Sequence, residues 1–339
     1  MSDPAAGADA ARDSERTKPE DTDFRQQRLR AWQPILTPKW VILTFLIIGI
    51  AFIPIGAAVL AASGDVVEVE QRYDAVCGSA ATCSVTLDIE DKMEGPVYFY
   101  YKLTNFFQNH RRYVKSRSDE QLSGEGSASS SCDPLENWDG KTLYPCGLVA
   151  NSFFNDKFTA EVELMQDDGT LAPAVPLADS NWDETNIAWA SDIDVKFKDL
   201  YLPPTPLPSS LTRDGPRGQL PYLNDQHLMV WMRTASLSTF RKLYAVIDRS
   251  LPKGSKLTVT VDNAFDSASY DGTKSVVLST LTWVGGRNTF LGWAYIIVGI
   301  VCIVFALAFA IKAAVSPRPL GDMKYFTLTM PGASKAKNA

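Results

Sequence analysis

Five cysteines stand in this chain, and four of them fall into two close pairs, Cys77 with Cys83 and Cys132 with Cys146. Thiols at such spacing either hold zinc or close disulfides. Neither pair has the C-x-x-C spacing of a structural zinc site, and the only two histidines are His110 and His227. Disulfides are the better reading. Four cysteines allow three pairings, and their clustering favours Cys77–Cys83 and Cys132–Cys146. Cys302 lies alone in an apolar run and reads as an inert packed thiol.

Catalytic spacings are missing. There is no G-x-S-x-G, no H-E-x-x-H, no Walker loop and no C-x-x-C. DGTKS at residues 271–275 superficially resembles the phosphorylated aspartate motif of P-type pumps, but the residue order differs. A triad built on either histidine has no sequence support. Asp192 and Asp194 alternate on what reads as one strand and look like a solvated edge. The expectation is a chain that is not an enzyme and carries no cofactor or metal.

The run TNFFQNHRRYVKSR, residues 104–117, gathers His110, Arg111, Arg112, Lys115 and Arg117 beside Phe106, Phe107 and Tyr113. Such a segment could meet acidic loops of a partner or lipid headgroups. It could equally be a solvated basic edge, and spacing alone leaves both open. The formal net charge of −6 gives no support for nucleic-acid binding.

The elements that carry these residues begin with two uncharged apolar blocks, between Lys39 and Asp65 and between Arg287 and Lys312. Crossing a bilayer takes about 20 apolar residues, so each block is long enough for a transmembrane helix. The first starts too deep in the chain, and runs too long, for a cleaved signal peptide. Pro54 should kink it. Arg25, Arg28, Arg30 and Lys39 precede the first block, and Lys312, Arg318 and Lys324 attend the end of the second. Positive flanks stay cytosolic, so both termini are expected inside and the long middle segment outside. Gly49, Gly56, Ala58, Ala62, Gly292 and Gly299 either mark helix–helix contacts or reflect ordinary span composition.

Period-two alternation dominates between the blocks, as in Val85-x-Leu87-x-Ile89 and in the runs PVYFYYKL, KFTAEVELM, HLMVWMRT, KLTVTV and KSVVLSTLTWV. These predict an antiparallel sandwich, with LSTFRKLYAVI as a short helix. Two stretches read as irregular: a Ser/Gly loop at 123–131 and a proline-rich excursion at 201–221. The fold class expected is two transmembrane helices around a large, mainly β, lumenal or extracellular domain. Its bounds are a cytosolic tail at 1–39, a first span at 40–62, the disulfide-bonded domain at 63–289, a second span at 290–314 and a cytosolic tail at 315–339. Residues 1–23 read as disordered.

Several motifs resemble the cell division control protein 50, or ligand-effect modulator, family. They are FRQQRLRAWQPILTP, FIPIG, YKLTNFFQNHRRYVKSR, PCGLVANSFFND, NIAWASD, VWMRTASLSTFRKLYAVI, GTKSVVLST, GGRNTFLGWAYIIVG and RPLGDMKY, in that order. The resemblance implies a non-catalytic β-subunit that escorts a type IV P-type ATPase from the endoplasmic reticulum and stays bound as a heterodimer while that ATPase flips phospholipids. It implies residence in the endoplasmic reticulum, Golgi or endosomal and plasma membranes. It also implies partner contacts through Arg28, Trp32, Gln33 and Pro34 before the first span, and through Asn105, Phe107, Asn109, Arg111 and Arg112 in the lumenal domain. It agrees with both disulfide pairings. Some relatives have four cysteines in the first cluster, where this sequence has only Cys77 and Cys83, and relatives usually carry N-linked glycans, for which this sequence has no N-x-[ST] sequon. A free-standing receptor or adhesion protein is the alternative.

Overall fold

The structure, a computed structural model, describes residues 21–29, 37–125, 130–177 and 181–317. Trp32, Gln33, Pro34, most of the terminal segments and part of the 123–131 loop lie outside the described residues.

Two helices of 27 residues, α1 (Pro38–Gly64) and α4 (Thr289–Val315), have mean hydropathies of 2.6 and 2.9. Both are long and apolar enough to cross a membrane. Proline opens α1, where its missing N–H leaves no bond unmade, and the helix continues through Pro54. The chain divides into two compact units, one of which ends at Pro54 and resumes at Tyr295. In that unit the helices cross at glycines: a Cβ on Gly49 would sit 2.9 Å from the Gly299 carbonyl oxygen. Phe45 and Phe305 meet beside the crossing with ring centroids 5.8 Å apart.

The second unit, Ile55–Ala294, holds the β domain. Its main strands are β1 (Glu68–Arg72), β2 (Thr82–Asp88), β3 (Val97–Leu103), β4 (Lys157–Glu163), β5 (Val175–Pro176), β6 (Trp182–Asp183), β7 (Phe240–Ile247), β8 (Lys256–Asp262) and β9 (Lys274–Ser279). They form a five-stranded sheet in the order β1-β9-β3-β7-β6 and a four-stranded sheet in the order β2-β8-β4-β5. All neighbours pair antiparallel. Alternation explains the faces: in β8, Leu257, Val259 and Val261 are buried, while Thr258 and Thr260 hydrogen-bond across to Thr86 and Ser84 on the opposite face. The inward residues join Phe99, Tyr101, Leu103, Phe158 and Tyr244 in one core shared by both sheets. Phe158 lies edge-on to Tyr244 at 4.8 Å and to Phe99 at 5.4 Å, pairs worth about 0.5–1.5 kcal/mol each beyond their buried area.

Three expectations are corrected. HLMVWMRT is not a strand: Gln226–Met232 form a helix, α3, whose N-cap Asp225 accepts from the His227 amide. Leu228, Met229, Trp231 and Met232 are buried from it, the one-sided spacing of a helix. LSTFRKLYAVI is not a helix but contributes β7, where a register shift between Leu243 and Ala245 leaves Tyr244 and Ala245 buried in succession and hides the alternation. Asp192 and Asp194 do not share a strand. They lie in a wide helical turn, Asp192–Lys196, in which Asp192 is buried and bonded to Arg233.

Candidate functional site: a basic platform braced by a disulfide loop

The segment after β3 leaves the sheet at Asn105, whose φ of 57° turns the chain sharply. The Asn105 side chain donates to the Tyr270 carbonyl at 2.6 Å. Phe106 then plugs into an aromatic cluster, with Trp231 at 5.5 Å and Tyr270 at 5.3 Å between ring centroids. A second loop, residues 234–239, zips against this one. The Phe106 amide donates to the Ser238 carbonyl at 3.0 Å, the Ala235 amide to Gln108 Oε1 at 2.8 Å, and Asn109 Nδ2 to the Ser236 carbonyl at 2.9 Å.

This zipper orients what remains outside. Phe107 is 56% exposed and Leu237, on the facing loop, 70%. The short helix α2 (Arg111–Lys115) follows, with its Tyr113 hydroxyl 2.7 Å from Ser152 Oγ. Burial pushes the Tyr113 phenol up to about 12, so it remains a neutral anchor. His110, Arg111, Arg112 and Lys115 are all exposed. Among the described residues none of the four forms an ion pair, whereas Arg117 pairs with Asp119 at 3.1 Å.

The Cys132–Cys146 disulfide braces the base of α2. Ser116 Oγ donates to the Cys132 carbonyl at 3.0 Å and accepts from the Leu148 amide at 2.9 Å. Gly147, directly after the bridge, has φ 97°, and a Cβ there would collide with the Ser116 carbonyl. Only glycine permits that approach. The other bridge, Cys77–Cys83, pins the start of β2 to the preceding helical turn.

Of the sequence-assigned lumenal contacts, Phe107, Arg111 and Arg112 stand on the exposed platform, while Asn105 and Asn109 spend their amides shaping it. Arg28 is exposed and contacts Asp21. Leu237 was not singled out in the sequence; its only signal was an exposed apolar residue in the run TASLSTF. A neighbouring open cleft of about 810 Å³ is lined by Arg117, Asp119, Asp192, Lys196 and Arg233. In it, burial opposes ionisation of Asp192, but hydrogen bonds from Arg233 and Lys196 outweigh it and hold the carboxyl below its ordinary range.

Catalytic geometry is thin. His227 Nε2 lies 3.0 Å from Glu184 Oε2, but among the described residues no hydroxyl or thiol completes a triad with it. No group of three metal-capable side chains occurs among the described residues. Lys274 of the DGTKS motif is buried and bonded to Asp156, and Asp271 serves as a left-handed helix cap. Phe107 and Leu237, exposed on facing loops, and the exposed Arg111 and Arg112 suit an acidic or amphipathic partner surface.

Comparison with known proteins agrees with this architecture. Residues 21–319 match the model of the LEM3 (ligand-effect modulator 3) family / CDC50 family, and the chain belongs to that family. It is 40% identical to ALA-interacting subunit 3 of Arabidopsis thaliana, over 95% of each chain. It is 39% identical to cell cycle control protein 50A of Bos taurus, over 83% of this chain and 85% of that one. It is 31% identical to the phospholipid-transporting ATPase accessory subunit CRF1 of Saccharomyces cerevisiae, over 91% and 88%.

Proposed function

We propose that this chain is the non-catalytic accessory subunit and export chaperone of a phospholipid-flipping type IV P-type ATPase, with which it forms a heterodimer. The observation that carries the reading is its near full-length likeness to a phospholipid-transporting ATPase accessory subunit and to an ALA-interacting subunit. The platform supports it: exposed Arg111 and Arg112, which form no ion pair among the described residues, together with exposed Phe107 and Leu237 make a surface suited to association. Catalysis belongs to the partner in this reading.

The segments are assigned accordingly. Residues 1–39 and 315–339 are cytosolic tails, 40–62 and 290–314 the membrane spans, and 63–289 the lumenal or extracellular domain. Arg28, Trp32, Gln33 and Pro34 contact the partner on the cytosolic side; Asn105, Phe107, Asn109, Arg111 and Arg112 form or shape the lumenal contact. The heterodimer leaves the endoplasmic reticulum for Golgi, endosomal or plasma membranes. Copurification in mild detergent tests the proposal: a P-type ATPase should accompany the tagged chain. Robust ATP turnover by the chain purified alone would overturn it.

A further inference from the structure

The chain between β9 and α4 makes a tight turn that leaves one large apolar side chain, Trp283, in solvent. Thr282 and Gly285 exchange backbone hydrogen bonds of 3.0 and 2.8 Å, and Trp283 projects from the tip. Trp283 is 78% exposed, its neighbour Leu281 41%, and among the described residues the Trp283 indole N–H has no partner. Arg287 is exposed and likewise without an ion pair among the described residues.

The turn lies against a fixed side chain. Arg241 lies beneath it, and a Cβ on Gly286 would sit 2.6 Å from the Arg241 guanidinium. That guanidinium is itself fixed by Glu68 at 2.6 Å and by the Tyr100 ring at 4.8 Å. A free tryptophan on a braced turn is a poor arrangement in water and a good one at an apolar boundary.

The boundary is close at hand. The Asn288 amide donates to Ser63 Oγ at 2.8 Å, tying the start of α4 to the last turn of α1. Val67, three residues past α1, bonds Thr280 at the root of the turn, its amide donating at 3.0 Å. Asn288 follows Trp283 by five residues, so Trp283 lies within about 18 Å of the helix entrance. Tryptophan concentrates at the headgroup level, where its ring body is apolar and its N–H stays wet, and arginine reaches from there to phosphates.

We infer that the Leu281–Arg287 turn is a third membrane contact: Trp283 and Leu281 seat in the headgroup–acyl boundary of phospholipids, and Arg287 engages their phosphates. The contact fixes the attitude of the β domain above the bilayer without requiring a partner. It is independent of the accessory-subunit reading.

The test uses the full chain in phosphatidylcholine nanodiscs, without an ATPase. Subtracting the emission of Trp283→Phe from that of the wild type isolates Trp283. With bromine atoms on the acyl carbons nearest the headgroup, this difference emission should fall at least about twofold. Trp283→Tyr supplies a second subtraction that must agree. Since the Trp283 indole has no hydrogen-bond partner among the described residues, both variants should unfold at the wild-type temperature. Difference emission unchanged by bromination overturns the inference. So does unquenched emission coupled with loss of ATPase copurification by Trp283→Phe, which would assign the turn to the partner protein.

Discussion

Lys274 Nζ donates to Asp156 Oδ2 at 2.7 Å across 118 residues of sequence, both side chains buried at the ends of their strands. The pair is saturated. Lys274 also reaches Asn263 and the Phe265 carbonyl at 2.5 and 2.6 Å, and Asp156 accepts from the Tyr73 hydroxyl and from the Ala264 and Phe265 amides. Two motifs that looked separate, SFFND and GTKSVVLST, therefore meet in one network that closes the 263–274 loop over the sheet end. Burial, with Asp156 alongside, raises the Tyr73 phenol well above its ordinary range, so that hydroxyl donates throughout the physiological range.

Breaking this pair on one side leaves a buried charge without its counterpart. Lys274→Met should destabilise the domain by about 3–5 kcal/mol. Lys274→Met with Asp156→Asn should cost less than the sum of the single changes, because no net charge is then stranded. Thermal unfolding of the full-length chain in detergent reads both, and additive losses would show that the groups do not act as a unit.

Asp192 and Arg233 give an acid-side signature. The Asp192 carboxyl is held below the ordinary value of about 3.9, so the folded chain binds fewer protons there than the unfolded one. Its stabilisation is complete above the unfolded value and is lost as pH falls through the folded one. Arg233→Met should lower stability at pH 7 by about 1–3 kcal/mol and flatten the decline on acidification. Equal slopes for the two proteins between neutral and strongly acid pH would dismiss the pair as the source.

The platform makes a prediction that separates binding from folding. Arg111→Glu with Arg112→Glu, and Leu237→Ser alone, should each reduce ATPase copurification several-fold while leaving the unfolding temperature within a degree or two of wild type, because these side chains are exposed and have no side-chain hydrogen bond or ion pair among the described residues. Asn109→Ala should instead lower both readouts, since its amide ties the two loops together.

Much of this architecture was legible beforehand, and the exceptions have physical causes. The two apolar helices, both disulfide pairs and the strands β2, β3, β4 and β8 follow from hydropathy, cysteine clustering and alternation, while β9 is legible from its apolar run although all six of its residues are buried. Residues 226–232 and 240–247 were exchanged in type. The first is a run of bulky apolar residues that satisfies a strand pattern as readily as a short helix, and only the Asp225 cap distinguishes it. The second hides its period behind the shift at Tyr244 and buries Lys242, whose ammonium donates to the Val230 and Arg233 carbonyls. Burial, with a further push from the Arg233 charge, lowers that ammonium to about 8. No local pattern announces a lysine that points inward. The zipper between the 104–110 and 234–239 loops was likewise hidden, because it depends on backbone carbonyls far apart in sequence.

The two bridges should differ in weight. Cys132–Cys146 has a sequence separation of 14 and Cys77–Cys83 one of 6. In the chain-entropy model a loop of about 15 residues contributes about 3 kcal/mol, and a shorter loop less. The longer bridge also holds Ser116 and the base of the platform. Cys132→Ser should therefore retain more protein in the endoplasmic reticulum than Cys77→Ser and deliver less ATPase beyond it. Equal trafficking of the two variants would remove loop length as the explanation, and a Cys83–Cys132 peptide in non-reducing mapping would refute the pairing itself.

The glycine crossing gives the last prediction. Small residues in a span can meet a partner's helix or the chain's own, and here Gly49 and Gly299 meet each other. A side chain on Gly299 would lie 2.8 Å from Ile53 Cγ1 and 3.3 Å from the Gly49 carbonyl oxygen, so Gly299→Leu must force the helices apart. The readout is a cross-link made by a short bifunctional thiol reagent between cysteines placed at Phe45 and Phe305, whose ring centroids are 5.8 Å apart, in a background where Cys302→Ser removes the native thiol. Treatment of the full-length chain in a bilayer with that reagent should cross-link the pair, and Gly299→Leu should abolish most of that yield. Gly299→Ala should fall between them, since its one methyl, 2.8 Å from Ile53 Cγ1, asks for a smaller shift than a leucine side chain does. Undiminished cross-linking in Gly299→Leu would mean that the glycine contact does not set the approach of the two spans.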